Sequence, residues 1–418
     1  MKPVIFFVLI TSISLAGCYS SSPNLQPSPA TSQTRVPAIS KTLMPPTSNV
    51  ENGTPAPSQD LTPPAPLVIQ RCLGISRELP FEEVVRDGTI IVDTQDSALR
   101  LIDLETGNSY EQFPLQRDPY RLSDLHLSPD KTALAYYEHF LNTNGKLEKS
   151  VMWITNAKAD VLAQISLSPD NAGQFRWLDN DHLQIYSNIT YQDGTVEILN
   201  PYTGELRQLT NDLPNLFQNQ YNDLIPWLVE YNRDLDTVVY FGRSDGVKSG
   251  PIVWNINEQK VIWQDPDAGM IDSIPLWSPT KDDVAIVDDS GQLYIINRDG
   301  TTNQPLKLET QTNVRRFSWS PDGNVIAFWN ADDNFEQSKL MIYDNRTNQV
   351  TDYCIVADET SGSDPIWSPD SQMFFVHMRI KKGDGSFSGS TILVDIIHDA
   401  AYQISRKPKL LEWMNSIP

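Results

Sequence analysis

A short phrase returns along this chain at a nearly fixed interval, and that period limits the folds open to it. It reads Leu127-Ser128-Pro129-Asp130, Trp277-Ser278-Pro279-Thr280, Trp319-Ser320-Pro321-Asp322 and Trp367-Ser368-Pro369-Asp370. Weaker copies are Trp177-Leu178-Asp179-Asn180, Trp227-Leu228-Val229-Glu230 and Trp413-Met414-Asn415-Ser416. Their first residues, 127, 177, 227, 277, 319, 367 and 413, lie 50, 50, 50, 42, 48 and 46 positions apart. A unit of that length cannot bury its own apolar face, so neighbouring units must stack. A further Leu167-Ser168-Pro169-Asp170 falls out of register and reads as loop.

The phrase specifies a turn. Ser suits its first position, Pro presets φ at the second, and Gly323 closes the one complete Ser-Pro-Asp-Gly copy. An apolar β-rich run follows each time, at 134–137, 183–186, 238–241, 284–287, 325–329 and 373–377. A second run comes after it, at 151–154, 196–199, 252–256, 293–296, 340–343 and 392–396, often with a shorter fourth such as 205–209 or 349–353. Four short strands per repeat make one propeller blade. Residues 88–115 hold only three strands (89–93, 99–104, 109–113), whereas 410–414 is a lone first strand. Together they complete a seventh blade and leave no open sheet edge. The expected fold is all-β, a seven-bladed propeller whose ring is closed by strands from both termini.

The Trp-Ser-Pro-Asp-Gly phrase followed by an apolar strand resembles the repeat of TolB-type propellers, distant relatives of WD-repeat proteins. The resemblance covers residues 88–416. It implies a propeller fold, a periplasmic location and partners in the cell envelope. The family's own form has six blades and an added α/β domain.

Lys2 precedes an apolar run over 4–13 that is long enough for a signal-peptide core and too short to span a bilayer. The run ends in Leu15-Ala16-Gly17-Cys18, which resembles the lipobox of bacterial lipoproteins. That resemblance implies cleavage after Gly17 and acylation of Cys18. From Tyr19 to Pro66 the chain is rich in Ser, Thr and Pro, with Arg35, Lys41, Glu51 and Asp60 as its only charges. Such a segment has no apolar periodicity to offset the entropy of ordering. The expected organisation is a signal peptide (1–17), a lipidated cysteine with a disordered linker (18–66), and a propeller (67–418).

Charge excludes one class of partner. The chain carries 32 Lys+Arg against 53 Asp+Glu, a net of −21. Phosphate backbones are bound chiefly through Lys and Arg, so nucleic acid is not expected. The expected membrane contact is the lipid alone, and the chain is read as a monomer. With Cys18 acylated, Cys72 and Cys354 remain, either bridged in an oxidising compartment or separately buried as thiols.

Strand parity sorts the loops. Loops joining first to second and third to fourth strands lie on one propeller face, with the short Ser-Pro-Asp turns. The other face collects the long segments 138–150, 210–224, 243–251, 264–274, 330–339, 356–364 and 379–390. Function concentrates in long loops on rigid frames. Residues entering each first strand from that face are Asp124, Gln174, Asp223, Asp272, Arg315, Asp364 and Lys409, and they should ring the channel mouth. Tyr221 joins them as a ligand contact, with Tyr120, Phe140, Phe217, Phe335 and Phe387 as further loop aromatics. The recurring Trp residues are expected in the core between blades.

Enzyme signals are thin. Gly242-Arg243-Ser244-Asp245-Gly246 matches a nucleophile elbow, but that motif needs a helix next, and a strand pattern follows. His126, His139, His182, His377 and His398 lack metalloprotease spacing. No cofactor or metal is expected. The expected function is a non-catalytic binding or scaffolding propeller for an envelope protein or glycan. The alternative is an enzyme with a metal or an acid/base pair in the channel, using Asp124, Asp223, Asp272 and Asp364.

Overall fold

A computed structural model describes residues 66–79, 88–93, 99–112, 120–167, 174–187, 195–209, 223–224, 229–243, 251–264, 274–288, 290–298, 302–303, 313–358, 363–381, 384–404 and 409–415. They form seven antiparallel blades and no helix, so the chain is a seven-bladed propeller. Cys18, the expected leader and the expected linker up to residue 65 lie outside the described residues.

Blade 1 is assembled from both ends of the chain. Its innermost strand is Lys409–Met414, which pairs antiparallel with Thr89–Asp93; Leu99–Asp103 and Ser109–Gln112 follow outward. Blades 2 to 7 then come in chain order, with inner strands Tyr120–Leu127, Gln174–Trp177, Glu230–Tyr231, Leu276–Trp277, Val314–Trp319 and Ile366–Trp367. Asp223–Leu224 adds a second short inner piece to blade 4.

Each sheet lies between two others, so its second strand is covered on both faces. That is why these strands read as unbroken apolar runs rather than as an alternation. Val325–Ala331 is buried at every position, as is Asp283–Val287. The outer strand Val161–Leu167 instead alternates between exposed and half-buried positions. Buried clusters fill the joints between blades. One of them packs Trp413 of blade 1 with Met373, Phe375 and Leu393 of blade 7.

The repeat phrase joins strands and blades together. Ser320 Oγ donates to Asp322 Oδ1 at 2.5 Å and accepts from the Val325 amide at 3.0 Å. Ser128 with Asp130 and Ser368 with Asp370 do the same in blades 2 and 7. The turn's fourth residue is left-handed, at φ 61° for Lys131, 66° for Gly323 and 62° for Ser371. Only at Gly323 would a Cβ strike the neighbouring blade, at Ser278 Oγ and Thr280 Oγ1. Three of the repeat Trp residues also donate the indole N–H to a carbonyl one blade back. Trp177 reaches His126, Trp277 reaches Glu230, and Trp319 reaches Leu276, at 2.9, 3.2 and 3.0 Å.

Residues 66–79 form a strap that the repeat pattern does not announce. Leu67–Gln70 adds a fifth, parallel strand outside blade 6, along Gln349–Asp358. Ile75–Leu79 does the same for blade 7, along Ala400–Ile404. Between them Cys72 is disulfide-bonded to Cys354, 282 residues away. Arg71 pairs with Asp399 at 3.0 Å, so the crossing from one blade to the next is held by a covalent and an ionic contact.

Candidate functional site

The inner strands surround a central cavity of about 1030 Å³. Its described wall carries Arg315 and Arg316 from blade 6, Asp364 and His377 from blade 7, Glu412 from blade 1, Lys131 and His126 from blade 2, and Arg176 from blade 3. A smaller cavity of about 240 Å³ lies toward the Ser-Pro-Asp turns, bounded by Arg176, Glu230, Trp277, Pro279 and Lys281. The two share His126 and Arg176, so charged side chains meet well inside the ring as well as at its mouth.

The expected mouth residues divide into four groups. Arg315 and Asp364 line the central cavity. Gln174 is exposed at the start of its strand and does not border the described cavity. Asp124, Asp223 and Lys409 are placed by backbone alone, in the strands Tyr120–Leu127, Asp223–Leu224 and Lys409–Met414. Tyr221 and Asp272 lie outside the described residues. Of the loop aromatics, Phe335 borders the cavity, 42% exposed, with the Arg315 guanidinium 5.1 Å over its ring.

The site residues absent from the sequence reading sit one to three places before the repeat residue. They are His126, Arg176, Arg316 and Glu412, with Glu230 on the equivalent strand of blade 4. A period-two alternation counted back from each Trp would have flagged Arg176 beside Gln174. Arg316 escapes any such count. A register slip between Arg315 and Phe317 makes it an extra residue, at φ 48°, so two consecutive arginines reach the same cavity. Bulges re-aim side chains in this way, and a left-handed non-glycine costs roughly 1–2 kcal/mol.

Burial sets the electrostatics. Loss of hydration pushes the Glu412 carboxyl up to about 7, opposed by Lys131 and assisted by Asp364. The same loss lowers the Lys131 ammonium, with Glu412 opposing. Asp364 is raised by desolvation in the ring while Arg316, 4.0 Å away, and Arg176 pull it back. His126 is lowered to about 3 by burial and then by Arg176, which keeps the ring neutral. Glu230 is raised by burial, against the pull of Arg176 at 3.5 Å and a 2.6 Å hydrogen bond from Tyr186 Oη. Gln184 Nε2 donates to Tyr186 Oη at 2.6 Å, completing a chain that ties blade 3 to blade 4. Among the described residues no group of three or more His, Cys, Asp or Glu could hold a metal ion.

No protein-family model and no curated protein matches this sequence. Solved structures of similar shape include an oligogalacturonate lyase in complex with manganese, 13% identical, TM-score 0.48, covering 77% of this chain and 86% of that one. TolB from Acinetobacter baumannii is 16% identical, TM-score 0.41, with 78% and 82% covered. The C-terminal WD40 domain of Sif2 is 13% identical, TM-score 0.44, with 84% and 87% covered. None of these likenesses stands at an identity that speaks to function.

Proposed function

We propose that this chain is a lipid-anchored envelope protein whose propeller binds a polar partner, an envelope protein or glycan, at its central cavity without transforming it. The observation that carries this reading is the concentration of Arg176, Arg315, Arg316 and Lys131 around one cavity in a chain of net charge −21. Cations gathered where the rest of the surface is acidic focus the local field on a ligand. A rigid ring also holds them without reorganisation on binding, which favours affinity.

Two experiments test it. In a pull-down from envelope extract, a variant with Arg315 and Asp364 both changed to Ala is expected to lose the partner. One with Asp181 and Gln372 of the short turns changed to Ala is expected to keep it. The opposite pattern would place binding on the turn face. For the anchor, Cys18→Ser is expected to leave the membrane fraction or to retain its leader. A variant that fractionates and migrates like wild type would refute acylation.

A second reading, an enzyme using carboxyl acid/base chemistry, is supported by Glu412 and Asp364 facing one cavity with raised affinity for protons. It predicts that a bound glycan is cleaved, which the binding reading does not.

A further inference from the structure

Arg315 and Arg316 are neighbours in an inner strand, where alternation should send them to opposite sides. The bulge cancels that alternation. It does so by holding a long charged side chain, not a glycine, in the left-handed region. Strain kept at a cavity wall is a pointer to function when it re-aims a reactive or binding group. Here it yields a pair of guanidiniums on one wall, with the exposed Phe335 ring under one of them.

We propose that this pair binds the carboxylate of an acidic oligosaccharide, the sugar ring lying toward Phe335. The inference rests on the cavity being the binding site and adds the chemistry of what fills it. A guanidinium fork matches a carboxylate with two parallel hydrogen bonds and stays charged at any working pH. Arg316 makes one described ion pair, to Asp364 at 4.0 Å, and both side chains are 60% exposed, so its donors still face the cavity. Carboxylate alone would suit an acidic peptide equally. Asp364 and Glu412 on the same cavity discriminate, because they accept hydroxyl protons, which only the sugar offers. A uronate chain offers a carboxylate and several hydroxyls on each ring. A run of glutamates offers a carboxylate on every residue and no hydroxyl.

Calorimetric titration of the protein as extracted from membranes in detergent tests this with three probes: an alginate hexasaccharide, a dextran hexasaccharide and a hexaglutamate peptide. The alginate is expected to bind and to weaken as salt rises, with dextran and hexaglutamate at least about tenfold weaker. Arg315→Gln is expected to weaken alginate about tenfold or more. Arg316→Gly is the sharper variant, since glycine accepts φ 48° and the fold should keep its melting temperature while alginate binding falls. Equal binding of dextran, tighter binding of hexaglutamate, or an Arg316→Gly protein that binds alginate unchanged overturns the proposal. If the wild type binds none of the three yet the envelope pull-down still depends on Arg315 and Asp364, the acidic-glycan inference fails and the cavity reading survives.

Discussion

A chain ended before Lys409 is expected to aggregate, or to melt at least roughly 10 °C below the full chain. The truncation removes the strand Lys409–Met414, which is the innermost strand of blade 1 and pairs along Thr89–Asp93. Trp413 and Met414 are fully buried. Each loses burial worth roughly 2–3 kcal/mol, before any cavity term. The damage reaches both neighbours. Trp413 stacks at 5.0 Å on Phe375 of blade 7, while Met414 packs with Leu134 and Tyr136 of blade 2. Asn415 also donates to the carbonyls of Asp130 and Lys131. Thr89–Asp93 would become an inner edge with unsatisfied amides, the kind of edge that recruits other chains. Calorimetry and light scattering on the truncated protein decide it, and an unchanged melting temperature would remove this strand from the ring.

Breaking the strap's disulfide is the second large effect. Cys72→Ser with Cys354→Ser is expected to cost about 3–5 kcal/mol and to lower the melting temperature by roughly 10 °C. The bond spans 282 residues, so it withholds much chain entropy from the unfolded state. In the folded state it fastens a strap of two short parallel strands whose other anchors are few. Leu67 is 59% exposed and Ile75 is 43% exposed, and of the strap's described residues only Val68 and Leu73 pack against the blade cores, each half-buried. The Arg71–Asp399 pair is exposed and worth under about 1 kcal/mol. Without the bond the strap should exchange amide protons quickly while the blades beneath stay protected. Uniform protection across residues 66–79 in the double variant would show that strand pairing alone holds it.

The function-bearing geometry was only partly legible from residues. Counting back from each Trp located Arg315 and Asp364 at the cavity, because both enter their inner strands at the position the repeat defines. It passed over Arg176, Glu412 and Glu230, which stand outside the positions counted. The choice of loop face was drawn from loop length. The described cavity runs further, with Lys131 of a short turn lining it together with Arg315.

What the sequence determined by itself was the blade. Its period, its Ser-Pro-Asp turn and its doubly apolar second strand are local, because a turn is closed within six residues and a covered strand must be apolar throughout. Blade number followed from the same count, and so did the need for residues from the two ends to share one sheet. The tertiary structure alone decided three things. It chose which outer edges the strap would join, since Leu67–Gln70 could pair with any exposed strand and the choice was made across some 280 positions. It decided where an extra residue would be absorbed, because a bulge depends on the register of two strands and no single residue encodes it. And it decided which charges would share a cavity, because Glu412, Lys131, Arg176 and Arg316 come from four different blades and meet only when the ring is formed.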